Sequence, residues 1–167
     1  MSWLIRLLAS LFREPIIPQK TTPKIQEIAR PKIEEETLYK FSKQSLEKLE
    51  TCHPDLQKLF GKVLESGLFD LTVVEGVRTL ERQKQLVAEG KSKTLNSKHL
   101  DGSAVDVAIY KNGKIDWDDS KAYYVLAGIV YTLAKQEGIS VRWGGNWECN
   151  QDYDDTTFLD LVHWEIL

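Results

Sequence analysis

Ser97-Lys98-His99-Leu100-Asp101-Gly102-Ser103-Ala104-Val105-Asp106-Val107-Ala108-Ile109-Tyr110 decides the reading of this chain. Across residues 103–110 the pattern is that of a strand, with Val105, Val107 and Ile109 on one face and Ala104, Asp106 and Ala108 on the other. The two small alanine side chains beside Asp106 leave space for an ion. His99 stands in the polar, turn-like segment 96–102, where Gly102 lets the backbone fold the imidazole back over the Asp106 face. Taken alone, a histidine and an aspartate at this spacing decide little, because most such residues are solvated or locally hydrogen-bonded. Asp160-Leu161-Val162-His163-Trp164-Glu165 changes the weight, since it supplies a second imidazole with a carboxylate three residues before it. Two histidines and one aspartate, His99, Asp106 and His163, are the ligand set of an open zinc site that keeps its fourth position for water.

Working outward, Lys111-Asn112-Gly113-Lys114 is a hairpin signal directly after that strand. Upstream, Leu46 and Leu49 recur at helical spacing, and after Pro54 so do Leu56, Leu59, Phe60, Val63 and Leu64 up to Gly67, which gives two helices or one broken at the proline. Phe69, Leu71 and Val73 alternate as a strand that runs into Gly76-Val77-Arg78-Thr79; Thr79 caps a further helix that Gly90 ends. Downstream, residues 124–134 form an amphipathic helix closed by Gly138, Ile139, Val141 and Trp143 alternate as a strand, and residues 161–166 make a last one. Helices set apart from a small, mostly antiparallel sheet define an α+β domain over residues 38–167.

The chain has 167 residues, enough for one domain with a real core and too few for a second catalytic one. A formal net charge of -3 offers no basic face for phosphates, so nucleic acid is not an expected partner. Cys52 and Cys149 belong to no Cys-x-x-Cys pair and read as reduced thiols, in keeping with synthesis in the cytoplasm. No stretch approaches the roughly 20 apolar residues of a membrane span. Residues 1–13 carry Trp3, Leu4, Leu7, Leu8 and Leu11 at helical spacing with Arg6 and Arg13, without the features of a secretory signal. Two readings stand for this segment: a helix that packs on protein, and one that lies in a membrane interface as a peripheral contact. Four of the five prolines fall within residues 14–37, a semi-extended linker.

Ser-x-His-x-x-Gly-x-Ala-x-Asp at 97–106, followed by Asp160-x-x-His163, resembles the VanY-like D-alanyl-D-alanine carboxypeptidase family, which has the Hedgehog/DD-peptidase fold. Within it the likeness is closest to phage endolysins that are L-alanyl-D-glutamate peptidases. The resemblance extends to Phe41-Ser42-Lys43-Gln44-Ser45, Gly76-Val77-Arg78-Thr79, Gly113-Lys114-Ile115-Asp116-Trp117 and Arg142-Trp143-Gly144-Gly145-Asn146-Trp147. It implies Zn2+ on His99, Asp106 and His163, Asp160 as the catalytic carboxylate and Arg78 beside the scissile carbonyl. It further implies peptidoglycan as the substrate and synthesis in the host cytoplasm, with action on the cell wall after release. A D-alanyl-D-alanine carboxypeptidase and a non-catalytic wall-binding module on the same scaffold are the alternatives.

The remaining candidates carry bland readings beside their functional ones. Ser97 is a plain loop residue or, as the family suggests, a hydrogen-bonding partner of substrate; no nucleophile elbow surrounds it. Glu165 orients His163 from the same strand face or is an exposed edge carboxylate. Arg78 has the alternative of a surface ion pair, Asp160 that of a turn residue, and His53 reads as a helix cap before Pro54. Trp143 and Trp147 are expected in the core rather than in a cleft. Asn150, Asp152, Asp154 and Asp155 offer the hard oxygens that Ca2+ prefers, but the loop lacks the glycine and distal glutamate of an EF-hand and reads first as solvated.

Overall fold

The computed structural model describes residues 39–150, 152 and 158–167. The helix and linker expected at 1–13 and 14–37, and Asp154 and Asp155 of the acidic loop, lie outside the described residues. Nearby, Asn150 already uses its side-chain oxygen to accept the Asp152 N–H at 2.8 Å.

Two helices open the described fold, α1 (Lys43–Leu49) and α2 (Pro54–Glu65), and Pro54 separates them as a first-turn residue. His53 caps α2, its Nδ1 accepting from the Asp55 N–H at 3.2 Å. β1 (Leu71–Glu75) follows, then α3 (Leu80–Ala88), capped by Thr79. A short 3₁₀ turn (Lys98–Leu100) leads into β2 (Ala104–Lys111). Asn112 and Gly113, at φ of 54° and 81°, make the tight turn to β3 (Lys114–Ile115), as the Asn-Gly signal requires. α4 (Ser120–Glu137) is longer than the expected 124–134 and ends at the left-handed Gly138. β4 (Val141–Trp143) and β5 (His163–Ile166) complete the sheet.

All strand pairs are antiparallel, in the order β1-β2-β5-β4 with β3 on the end of β2. One sheet face carries Leu71, Val73, Val105, Val107, Ile109, Val141, Trp143 and Trp164, which pack with Leu56, Leu59, Phe60, Tyr123, Leu126 and Val130 of α2 and α4. Trp164 is fully buried against Phe60 and Trp143, at ring-centroid distances of 5.9 and 5.8 Å. The opposite face carries Asp106, Arg142, His163 and Glu165, and it floors the site.

The expected bounds of the last strand need correction. The last strand begins at His163, not 161, because residues 160–162 turn: the Asp160 N–H donates to the Gly144 carbonyl and the His163 N–H to the Asp160 carbonyl. Alternation along β1 would put Glu75 on the core face with Leu71 and Val73. A bulge between Val73 and Glu75 instead sets Glu75 opposite Asp106, on the site face.

Candidate metal centre and its cleft

Gly102, at φ +81°, reverses the chain between the 3₁₀ turn and β2 and brings His99 over Asp106. Ser97 caps that turn, its Oγ accepting from the His99 N–H at 3.3 Å. His163 faces Asp106 directly across the β2–β5 ladder. Three atoms then converge. His99 Nε2 and His163 Nδ1 each lie 3.1 Å from Asp106 Oδ1 and 3.2 Å from one another. The second nitrogen of each ring is committed. His99 Nδ1 is 2.8 Å from the Gly76 carbonyl, which can only accept, so the proton sits there and the Nε2 lone pair points at the centre. His163 Nε2 donates in the same way to Glu165 Oε2 at 3.2 Å.

These groups also set each other's charge. Burial works to lift the Asp106 carboxyl, but its close contacts with the His163 and His99 rings outweigh it and hold it below the usual carboxylate range. Burial works to lower His163, but its bonds to Asp106 and Glu165 prevail and push it up to about 9. A tetrahedral ion with bonds of about 2.0–2.1 Å needs ligand separations of about 3.3–3.4 Å. The observed triangle is close to that, so the residues present fit a small dication. Among the described residues, this trio is the group able to hold a metal.

A cleft of about 700 Å³ opens over the trio, with Arg78, Ser97, Trp147 and Asp160 in its walls. Arg78 donates to Glu75 Oε2 at 2.5 Å and to Gln83 Oε1 at 2.8 Å, and contacts Asp106 Oδ2 at 3.4 Å. Its side chain is 8% exposed and that of Glu75 26%, so this is a partly buried ion pair rather than a surface one. Across the site Arg142 grips Glu165 through Nε at 2.9 Å and through Nη2. Because β5 is interior to the sheet, Glu165 is buried and the edge reading is excluded. Asp160 occupies a turn and also lines the cleft; burial, then the Asp106 charge, push its carboxyl above the ordinary range. The two tryptophans part company. Trp143 is core, whereas Trp147 lines the cleft, its ring 5.2 Å from that of His163.

Sequence reading missed Glu75, Gln83 and Arg142. Glu75 was hidden by the bulge. Gln83 had a signal, since it lies three residues before Leu86 on the buried side of α3. Arg142 alternates with the apolar Val141 and Trp143, which marks the site face of β4.

A small antiparallel sheet backed by helices, with two histidines and an aspartate meeting at the floor of an open cleft, defines the class: a DD-peptidase-like α+β domain with a candidate metal centre. The profile of the phage L-alanyl-D-glutamate peptidase family matches residues 37–167, and the chain belongs to that family. It is 39% identical over 120 residues to the L-alanyl-D-glutamate peptidase of Escherichia phage T5, covering 70% of this chain and 88% of that one. The L-alanyl-D-glutamate peptidase of Listeria phage A118 is 35% identical over 83 residues, 50% of this chain and 28% of the relative. The solved structure of the Serratia marcescens L-Ala D-Glu endopeptidase ChiX matches with a TM-score of 0.67 at 35% identity, over 79% of this chain and 92% of that one. No helix among the described residues is long and apolar enough to cross a membrane.

Proposed function

We propose that this chain is a zinc peptidase that hydrolyses the L-alanyl-D-glutamate bond of peptidoglycan stem peptides, as the endolysin of a phage or prophage. The observation that carries this reading is the convergence of His99 Nε2, Asp106 Oδ1 and His163 Nδ1 on one point at the floor of the cleft. Two imidazoles and one carboxylate suit zinc, and three protein ligands leave a position open. When bound, zinc lowers the pKa of a water molecule and polarises the scissile carbonyl.

The chain's own groups supply the rest. Asp160 takes a proton from the attacking water and returns it to the leaving amine, a role that a carboxyl raised by burial suits. Arg78, fixed by Glu75 and Gln83, offers a remaining donor to the charge that develops on the carbonyl oxygen. Ser97 sits where it can bond substrate backbone while capping the His99 turn. Residues 38–167 carry this chemistry. Residues 1–13 are the peripheral membrane contact and 14–37 the tether, in a protein made in the host cytoplasm that acts on the wall after release.

Digestion of purified cell wall, with the new termini identified by mass spectrometry, tests the proposal. Free L-alanine carboxyl and D-glutamate amino termini are expected. Release of terminal D-alanine alone would make the chain a carboxypeptidase, and wall binding without new termini would make it a binding module.

A further inference from the structure

Gln83 has no exposed surface, although it lies on a helix whose other side is polar and solvated. A buried primary amide persists where its donors and acceptor are met, and all of them are met here. Its Nε2 donates to Ser92 Oγ at 2.8 Å and to the Thr94 carbonyl at 2.6 Å, while Oε1 accepts from Arg78 Nη1 at 2.8 Å. Thr94 fixes which way the amide points, because a carbonyl cannot donate; the oxygen is thereby left for Arg78. Ser92, Thr94 and Arg78 all line the cleft.

A guanidinium has five N–H donors in one rigid plane. In Arg78 the Nη2 group serves Glu75 and Asp106, one Nη1 hydrogen serves Gln83, and Nε is enclosed without a partner. The second Nη1 hydrogen is what remains for the cleft, and the bond to Gln83 on the same nitrogen sets its direction. We propose that Gln83 is a positioning residue: it ties the Ser92–Thr94 wall to the Arg78 guanidinium, so that the wall and the remaining donor hold one fixed relation around the substrate. This rests on the role proposed above for Arg78.

Two substitutions separate the halves of that tie. Gln83→Met keeps length and apolar volume but releases both the wall and the arginine. Gln83→Glu keeps an acceptor for Arg78 and can take a hydrogen bond from the Ser92 hydroxyl, but turns the contact with the Thr94 carbonyl into two opposed acceptors, so it loosens the wall alone. In full-length protein, Gln83→Met is expected to retain its zinc and to lower kcat by about 10–100-fold with KM much less changed, the scale of a small misplacement at a reacting centre. In an Arg78→Ala background the same change should lower kcat no further, because the two residues act as one unit. Amide exchange over residues 91–97 should quicken in both variants, and the Arg78 Nε–H resonance should move in Gln83→Met and stay near its place in Gln83→Glu.

Wild-type kcat in Gln83→Met, or a full additional loss in the Arg78→Ala background, would overturn the inference. If Gln83→Met does not fold, Gln83→Glu decides: unchanged exchange over 91–97 refutes the tie. A wild-type enzyme that leaves L-alanyl-D-glutamate bonds intact would refute the proposed function instead. The exchange and resonance measurements, which need no turnover, would still decide the tie.

Discussion

The two imidazoles of the centre are held by different means. His99 is anchored on the main chain, through the Gly76 carbonyl. That peptide is fixed in turn by the end of α1, since Thr51 Oγ1 donates to the Lys48 carbonyl at 2.6 Å and accepts the Val77 N–H at 2.9 Å. His163 is anchored on side chains. Glu165 accepts from its Nε2, Arg142 holds Glu165, and Trp147 lies beside both Arg142 and the His163 ring. A main-chain anchor carries no side chain to substitute and changes only when the backbone moves. The side-chain anchor can be altered one group at a time, so the β4–β5 wall is where the basicity of the centre can be tuned.

Removing either ring should erase this difference. His99→Ala and His163→Ala are each expected to abolish zinc binding and hydrolysis together, as read by metal analysis and wall digestion. Near-stoichiometric zinc with hydrolysis intact in either variant would break the assignment of the trio. Asp160→Asn, on neither anchor, should keep zinc and lose about 10²–10⁴-fold in turnover, the usual weight of general acid-base catalysis. A wild-type rate there would shift the base role elsewhere. Glu165→Gln should weaken zinc affinity by about 10–100-fold in competition with a chelator. An unchanged affinity would mean that the side-chain anchor does not tune the centre.

Gly76→Ala probes the opposite wall. A Cβ there would stand 2.3 Å from the Lys48 carbonyl oxygen and 2.6 Å from Thr51 Oγ1, so the backbone must shift. A stability loss of about 1–3 kcal/mol is expected in denaturant titration, together with weaker zinc binding. Loss of stability with zinc affinity intact would uncouple His99 from its anchor. The smallest effect belongs to deletion of residues 1–37, since every group named in either wall lies beyond them. Hydrolysis of soluble wall fragments should hardly change, whereas co-sedimentation with anionic vesicles at low salt should be lost.

Local pattern made much of this legible. The alternation around Asp106 located β2 and its two faces, the Asn112-Gly113 pair located the hairpin, and the three metal-binding candidates stood within two short segments. What escaped was non-local. Nothing in residues 163–166 says that this strand lies between β2 and β4, because strand order depends on how the whole apolar face is covered. Glu75 needed the bulge, and the partnership of Gln83 with Arg78 needed α3 folded onto the loop that follows it. Burial of a polar residue such as Gln83 is set by distant neighbours, whereas the patterns that located the strands are set by adjacent ones.

His163 and Trp164 are neighbours on β5, opposite Asp106 and Val105, and they point to opposite sides of the sheet. A slip of one residue between β2 and β5 would carry the indole into the cleft and the imidazole into the apolar layer against Phe60 and Trp143. The proposed metal centre and the apolar core therefore depend on the same strand alignment. Only the pairing that seats Trp164 in the core also brings His163 to Asp106, so one register serves both faces of the sheet.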